Sequence, residues 1–103
     1  MTSARIDALE RMLRSRPDDA RLRFGLALEY EKAGRSEDAV RALQDYLARS
    51  EDEGNAWGRL GALLRSLGRD EEARSAYRRG AEQAMKHGHP SMAAELEAAL
   101  EEF

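Results

Sequence analysis

At 103 residues the chain is one domain by length, and a single compact core would be modest at that size. Charged residues make up 36% and apolar ones 42%, with only two prolines, a helix-favouring balance that excludes a disordered chain. The net charge of −3 is too slight to argue for a nucleic-acid or membrane partner, and the absence of cysteine excludes disulfides and thiolate chemistry. No apolar run approaches the ~20 residues of a membrane span. The opening residues lack an apolar signal core, so a cytoplasmic location is expected. The basic residues are nearly all arginine, Lys32 and Lys86 excepted, which points to a GC-rich, bacterial coding sequence.

The first predicted helix covers 3–15. Ile6, Leu9, Met12 and Leu13 follow the i, i+3, i+4 spacing of one apolar face, Ser3 is its N-cap, and Pro17 follows its end. The second covers about 19–33, opened by Asp18 or Asp19, whose charge suits a helix N-terminus. Leu22, Leu26, Tyr30 and Ala33 make its buried stripe, and Gly34 supplies the left-handed residue that stops it. Ser36 is the predicted cap of the third helix, which runs to about 49. Ala39, Val40, Leu43, Tyr46 and Leu47 face inward there. Glu37, Arg41, Asp45 and Arg49 form an outer ladder of alternating sign, worth ~0.2–0.5 kcal/mol per pair.

A polar link at 51–55 leads to the fourth helix, about 54–67, with Trp57, Leu60, Gly61 and Leu64 on its packing face. Gly61 costs ~1 kcal/mol of helix propensity relative to alanine, and in return lets a facing helix come close. Asp70 is the predicted cap of the fifth helix, where Ala73, Tyr77, Gly80 and Ala81 point inward. That helix runs on through Met85 to His87 before Gly88 stops it. Pro90 suits the first position of the sixth helix, with His89 before it. Met92, Ala93, Leu96, Ala99 and Leu100 form its apolar side; Glu95, Glu97, Glu101 and Glu102 form the other.

The spacing from Gly34 to Gly68 recurs from Ala39 to Ala73, from Leu26 to Leu60, and between the small pair Ala27 and Gly61. A fixed period of this size marks a helical repeat array. In the second copy Trp57, Leu60, Gly61, Leu64, Gly68 and Ala73 fall on the tetratricopeptide pattern, with Tyr77 where a large residue is usual. In the first copy Leu26, Ala27, Tyr30, Gly34, Ala39, Leu43 and Leu47 match. The chain therefore resembles the tetratricopeptide repeat family over 20–81, with the flanks as half-repeats. Arg23 departs from the pattern by replacing the tryptophan-like residue, whose packing is expected from Leu22 or Phe24. Tyr46 and Gly80 stand where a small alanine is usual.

The resemblance implies an all-α fold, a right-handed α-solenoid of antiparallel helix pairs with six helices. The expected layout is one domain, with a leading half-repeat helix at 1–17, repeats at 20–53 and 54–87, and a C-terminal capping helix at 88–103. It also implies a concave groove that holds a peptide or helix of a protein partner. The groove positions are Arg21, Phe24, Leu28, Glu31 and Lys32 in the first repeat, and Asn55, Gly58, Arg59, Ala62, Arg65 and Ser66 in the second. Met92 and Leu96 are expected to close it. Phe24 and Leu28 make an apolar spot, and Arg59 and Arg65 add positive charge. The expected partner therefore carries an apolar anchor and acidic groups, since arginine grips carboxylate bidentately. Some members of the family clamp acidic tails with lysines and asparagines. Phe24 and Leu28 occupy clamp positions here, and only Asn55 and Arg59 are reminiscent of that device. Self-association into a homo-oligomer is the alternative to partner binding.

The remaining chemistry is sparse. His87 and His89 flank one glycine at a helix end without cysteine or an evident third ligand, so a polar turn is expected rather than a metal site. The serines carry no nucleophile-elbow motif, and no phosphate-cradling glycine motif is present. Neither an enzyme nor a cofactor is expected. Arg69, Arg74, Arg78 and Arg79 cluster on the fifth helix. Asp70 is placed to pair with Arg74 and Glu82 with Arg78, which leaves too little free charge for a phosphate track.

Overall fold

The computed structural model describes residues 3–103, so the first two positions of the 1–17 half-repeat lie outside the described residues. Six α-helices follow one another without a strand among the described residues: α1 (Ala4–Ser15), α2 (Ala20–Lys32), α3 (Ser36–Arg49), α4 (Asn55–Ser66), α5 (Asp70–Lys86) and α6 (Pro90–Glu101). The chain divides into two compact units, Met1–Ser50 and Glu51–Phe103.

In the first unit α1 packs on α2 and α2 on α3. Ser3 Oγ accepts the Ile6 N–H at 3.3 Å, and one Asp19 carboxylate oxygen accepts the N–H groups of Arg21 and Leu22 at 3.0 and 3.2 Å. Each cap satisfies donors that the first helical turn leaves open, worth ~1 kcal/mol. Ile6, Leu26, Ala27, Tyr30, Ala39, Val40 and Leu43 are buried. Ala33, expected on the buried stripe, is exposed, because it is the C-cap of α2 and stands past the last packed turn. Met12 leaves the apolar face of α1 and is 43% exposed.

In the second unit α5 packs on both α4 and α6. The buried apolar side chains of this unit are Ala56, Leu60, Leu64, Ala73, Ala76, Tyr77, Ala81, Ala84, Ala93 and Leu96. Gly61 allows a close approach of α5, since a Cβ there would lie 2.8 Å from Tyr77 Cε1. Leu96, expected to close the groove, instead packs in the core with Tyr77 and Ala81, and Met92 packs against the same cluster. Gly58 turns toward Leu96, for a Cβ on Gly58 would meet Leu96 Cδ2 at 2.9 Å.

The turns repeat atom for atom. Gly34 N–H donates to Glu31 C=O at 3.1 Å and Arg35 N–H to Tyr30 C=O at 2.9 Å. One period on, Gly68 donates to Arg65 and Arg69 to Leu64 at 3.0 and 2.9 Å. These are paired Schellman closures, and φ of +74° and +76° explains why glycine holds both places. Gly88 makes the same turn after α5. The closure also corrects two expected caps. Ser36 and Asp70 are the first helical residues, while the N-caps are Arg35 and Arg69, neither with a side-chain cap bond. The turn delivers the chain into the next helix one residue earlier, and each capping arginine reaches the acid three positions on. Arg35 Nε meets Asp38 at 2.9 Å and Arg69 Nε meets Glu72 at 2.5 Å. Burial pushes the Asp38 carboxyl up, but the hydrogen bonds from Arg35 and Arg41 outweigh it and hold the group below its ordinary value.

The outer ladder of α3 is also rearranged. Arg41 pairs with Asp38, Asp45 faces Arg23 of α2 at 3.9 Å, and Arg49 approaches Asp18 at 3.7 Å. On α5, Arg74 pairs with Glu71 at 2.5 Å rather than with Asp70. Three-residue spacing brings these oxygens as near as four-residue spacing does, so either rung of a helical ladder can form.

Candidate partner-binding faces

The positions expected to meet a partner lie on α2 in the first unit and α4 in the second. On α2, Leu26, Ala27 and Tyr30 turn inward, which leaves the opposite flank at the surface. Arg21 and Lys32 are exposed there, and Phe24, Leu28 and Glu31 are half-buried. The Phe24 ring is tilted against Tyr46 of α3, with centroids 5.2 Å apart. This contact holds the ring in place and explains a large aromatic residue at position 46, where the repeat pattern has alanine. Lys32 Nζ lies 3.5 Å from Glu29, which also meets Arg5 at 3.3 Å, so the lysine has an acid of its own chain beside it.

On α4, Ala56, Leu60, Gly61 and Leu64 are buried. Asn55, Arg59, Ala62 and Arg65 are exposed at steps of three and four along the opposite flank, and Ser66 beside Arg65 is exposed as well. Arg65 is already engaged within the unit. Its guanidinium lies 3.4 Å from Glu102 Oε1 and stacks over the Phe103 ring at 4.9 Å. Arg74 covers Phe103 as well, at 4.8 Å, and Tyr77 meets it edge-on at 6.1 Å. Sequence reasoning found Arg65 and the acidity of Glu102 but not Phe103 or the role of Arg74. A residue beyond a helix end carries no periodicity that would place it.

A second feature of the first unit lies off this flank. A cleft of about 200 Å³ has Leu13, Leu26, Tyr30 and Ala42 as apolar lining and Arg23, Asp38, Arg41 and Asp45 as charged lining. Tyr30 Oη donates to Glu10 at 2.6 Å, and Arg35 stacks on its ring at 4.7 Å. Burial first, then the hydrogen bond and charge of Glu10, push the Tyr30 phenol up to about 12. Arg23, at the tryptophan-like position, has a side chain only 11% exposed. One of its terminal nitrogens donates to the Pro17 carbonyl at 2.5 Å, while its buried Nε has no hydrogen-bond partner. The arginine itself fills the place whose packing was expected from Leu22 or Phe24.

Residues 1–85 match the tetratricopeptide repeat family. The chain belongs to that family. TPR repeat-containing protein PA0015 of Pseudomonas aeruginosa is 36% identical over 83 residues, 81% of this tetratricopeptide-repeat chain and 79% of that protein. The solution structure of protein BPP2914 from Bordetella parapertussis covers 99% of this chain and 88% of its own, with a TM-score of 0.78 and 28% identity. The fold is thus an all-α helical repeat of the kind carried by a small bacterial relative. Tetratricopeptide repeats generally mediate protein–protein interaction and are generally non-catalytic.

The histidines part company. His87 Nε2 lies 3.5 Å from Glu51, which also accepts from Lys86 at 2.9 Å, while His89 Nε2 meets Glu53 at 2.5 Å. Hydrogen bonding from Lys86 holds the Glu51 carboxyl low, and that from His89 does the same for Glu53. No group of three potential metal ligands occurs among the described residues. Among the same residues, no helix is long and apolar enough to cross a membrane.

Proposed function

We propose that this protein is an interaction module for a peptide or helix of a protein partner, with one candidate contact face on the exposed flank of α2 in the first unit and another on the exposed flank of α4 in the second. On α2 the contact residues are Arg21, Phe24, Leu28, Glu31 and Lys32; on α4 they are Asn55, Arg59, Ala62 and Arg65. The observation that carries this reading is the state of Phe24 and Leu28. They lie one turn apart and stay half-buried while Leu26, Ala27 and Tyr30 of the same helix are buried. An aromatic ring fixed against Tyr46 is an anchor of low entropic cost for an apolar side chain. The exposed arginines of α4 favour acidic groups in the partner.

The test is capture from the native host's lysate with wild type and with a Leu28→Glu, Arg59→Glu variant whose helicity is verified by circular dichroism. The captured protein is then purified and titrated by calorimetry against both forms. The reading expects capture by wild type and at least a tenfold loss of affinity in the variant. Equal affinity for both forms would place the binding surface elsewhere.

A further inference from the structure

Arg65 and Arg74 come from different helices of the second unit, yet both guanidinium groups lie over the ring of Phe103, at 4.9 and 4.8 Å. Tyr77 meets the same ring edge-on, and Arg65 also reaches the Glu102 carboxylate. An acid followed by an aromatic residue is therefore held by two cations and a tyrosine. This is the chemistry expected of a partner, an apolar anchor joined to a carboxylate, and here the chain's own segment supplies it. The polar contacts that hold it, cation–π pairs and a partly exposed ion pair, are each weak. The Phe103 ring also packs against the buried cluster of Tyr77, Ala81 and Leu96, so an incoming ligand must bring an aromatic ring of its own to take that place.

We infer that the surface formed by Arg65, Arg74 and Tyr77 is a receptor for an acid–aromatic pair in a partner, and that Glu102–Phe103 is its internal occupant. The inference rests on the interaction reading and adds to it the chemistry of one anchor and a mask over that anchor. A ligand that needs a vacated surface binds with its intrinsic affinity reduced by the fraction of molecules in which the surface is open. Removing the mask must then strengthen binding without adding any contact. Both arginines stack by the flat face of the guanidinium, which lysine does not reproduce.

The probe is a fluorescent blocked peptide Ala-Leu-Glu-Glu-Phe-amide, the chemistry of residues 99–103, titrated by anisotropy against the full chain. Phe103→Ala is expected to bind it about tenfold more tightly than wild type, as the open fraction rises toward unity. Arg65→Glu in the Phe103→Ala background is expected to abolish binding, Arg65→Lys to weaken it, and a Gln-Gln-Phe peptide to bind less well. Circular dichroism and thermal melting of each variant show whether the fold is kept, and Glu102→Gln provides a milder unmasking should Phe103→Ala unfold. Equal affinity in wild type and the unmasked variants would overturn the inference, as would binding indifferent to Arg65. A concentration-dependent mass in wild type that Phe103→Ala abolishes would also overturn it, since a second copy would then be the occupant. Absence of peptide binding alongside capture of a partner sensitive to Leu28 and Arg59 would remove this inference alone.

Discussion

Arg23 and Trp57 hold the same place in the two repeats, and each faces a residue that is also shared by position. Arg23 lies 3.9 Å from Asp45, whereas Arg79, the counterpart of Asp45 in the second repeat, stacks over the Trp57 ring at 5.0 Å. One location in the fold thus carries an ion pair in the first unit and a cation–π pair in the second. The positive group has changed sides.

This exchange predicts a coupled pair of substitutions. Asp45→Arg alone sets two guanidinium groups against each other beside the buried Arg23 and is expected to destabilise the protein by ~1–2 kcal/mol. Adding Arg23→Trp recreates the arrangement of the second repeat and should recover at least ~1 kcal/mol of coupling in a double-mutant cycle read by urea unfolding. Strict additivity of the two substitutions would show that the residues do not interact.

The helical glycines separate propensity from packing. Beyond the backbone of its own helix and its chain neighbours, nothing lies within 4 Å of a Cβ placed on Gly25, so Gly25→Ala is expected to raise stability by ~0.5–1 kcal/mol. At Gly61 the same methyl meets three atoms of the Tyr77 ring between 2.8 and 3.0 Å. There the propensity gain is outweighed, and a net loss of ~1–3 kcal/mol is expected. Thermal melting of the two variants should shift in opposite directions.

High pH tests Tyr30. Its folded value of about 12 lies above the ordinary value of 10.0. A phenol whose pKa is raised by folding contributes stability that is fully present below pH 10 and lost as pH climbs toward 12. Urea unfolding of wild type should therefore weaken steeply across that window. Tyr30→Phe, which removes the ionisable group, should flatten the slope and leave the dependence from Tyr77, whose phenol burial also raises.

The six helices are legible because the apolar spacing and the repeat period agree with one another, and Gly34, Gly68 and Gly88 end α2, α4 and α5 where the spacing says they must. The caps of α3 and α5 were misplaced because Ser36 and Asp70 have the right chemistry for a cap. The Schellman closure nonetheless feeds the next helix directly. An arginine at the place equivalent to Trp57 is easily read as exposed; burial of Arg23 depends on the Pro17 carbonyl and Asp45, which converge with it only in three dimensions. Phe103 is not legible in the sequence for the same reason. Its significance lies in Arg65 and Arg74, both remote from it in sequence.

The most direct test of the interaction reading is chemical-shift mapping of the labelled full chain with its captured partner. The account predicts shifts concentrated on Phe24, Leu28, Asn55 and Arg59, with the Arg65 side chain moving as Phe103 is displaced. Shifts centred instead on the outer residues of α3 and α5, around Arg41 and Arg78, with α2 and α4 unmoved, would contradict it.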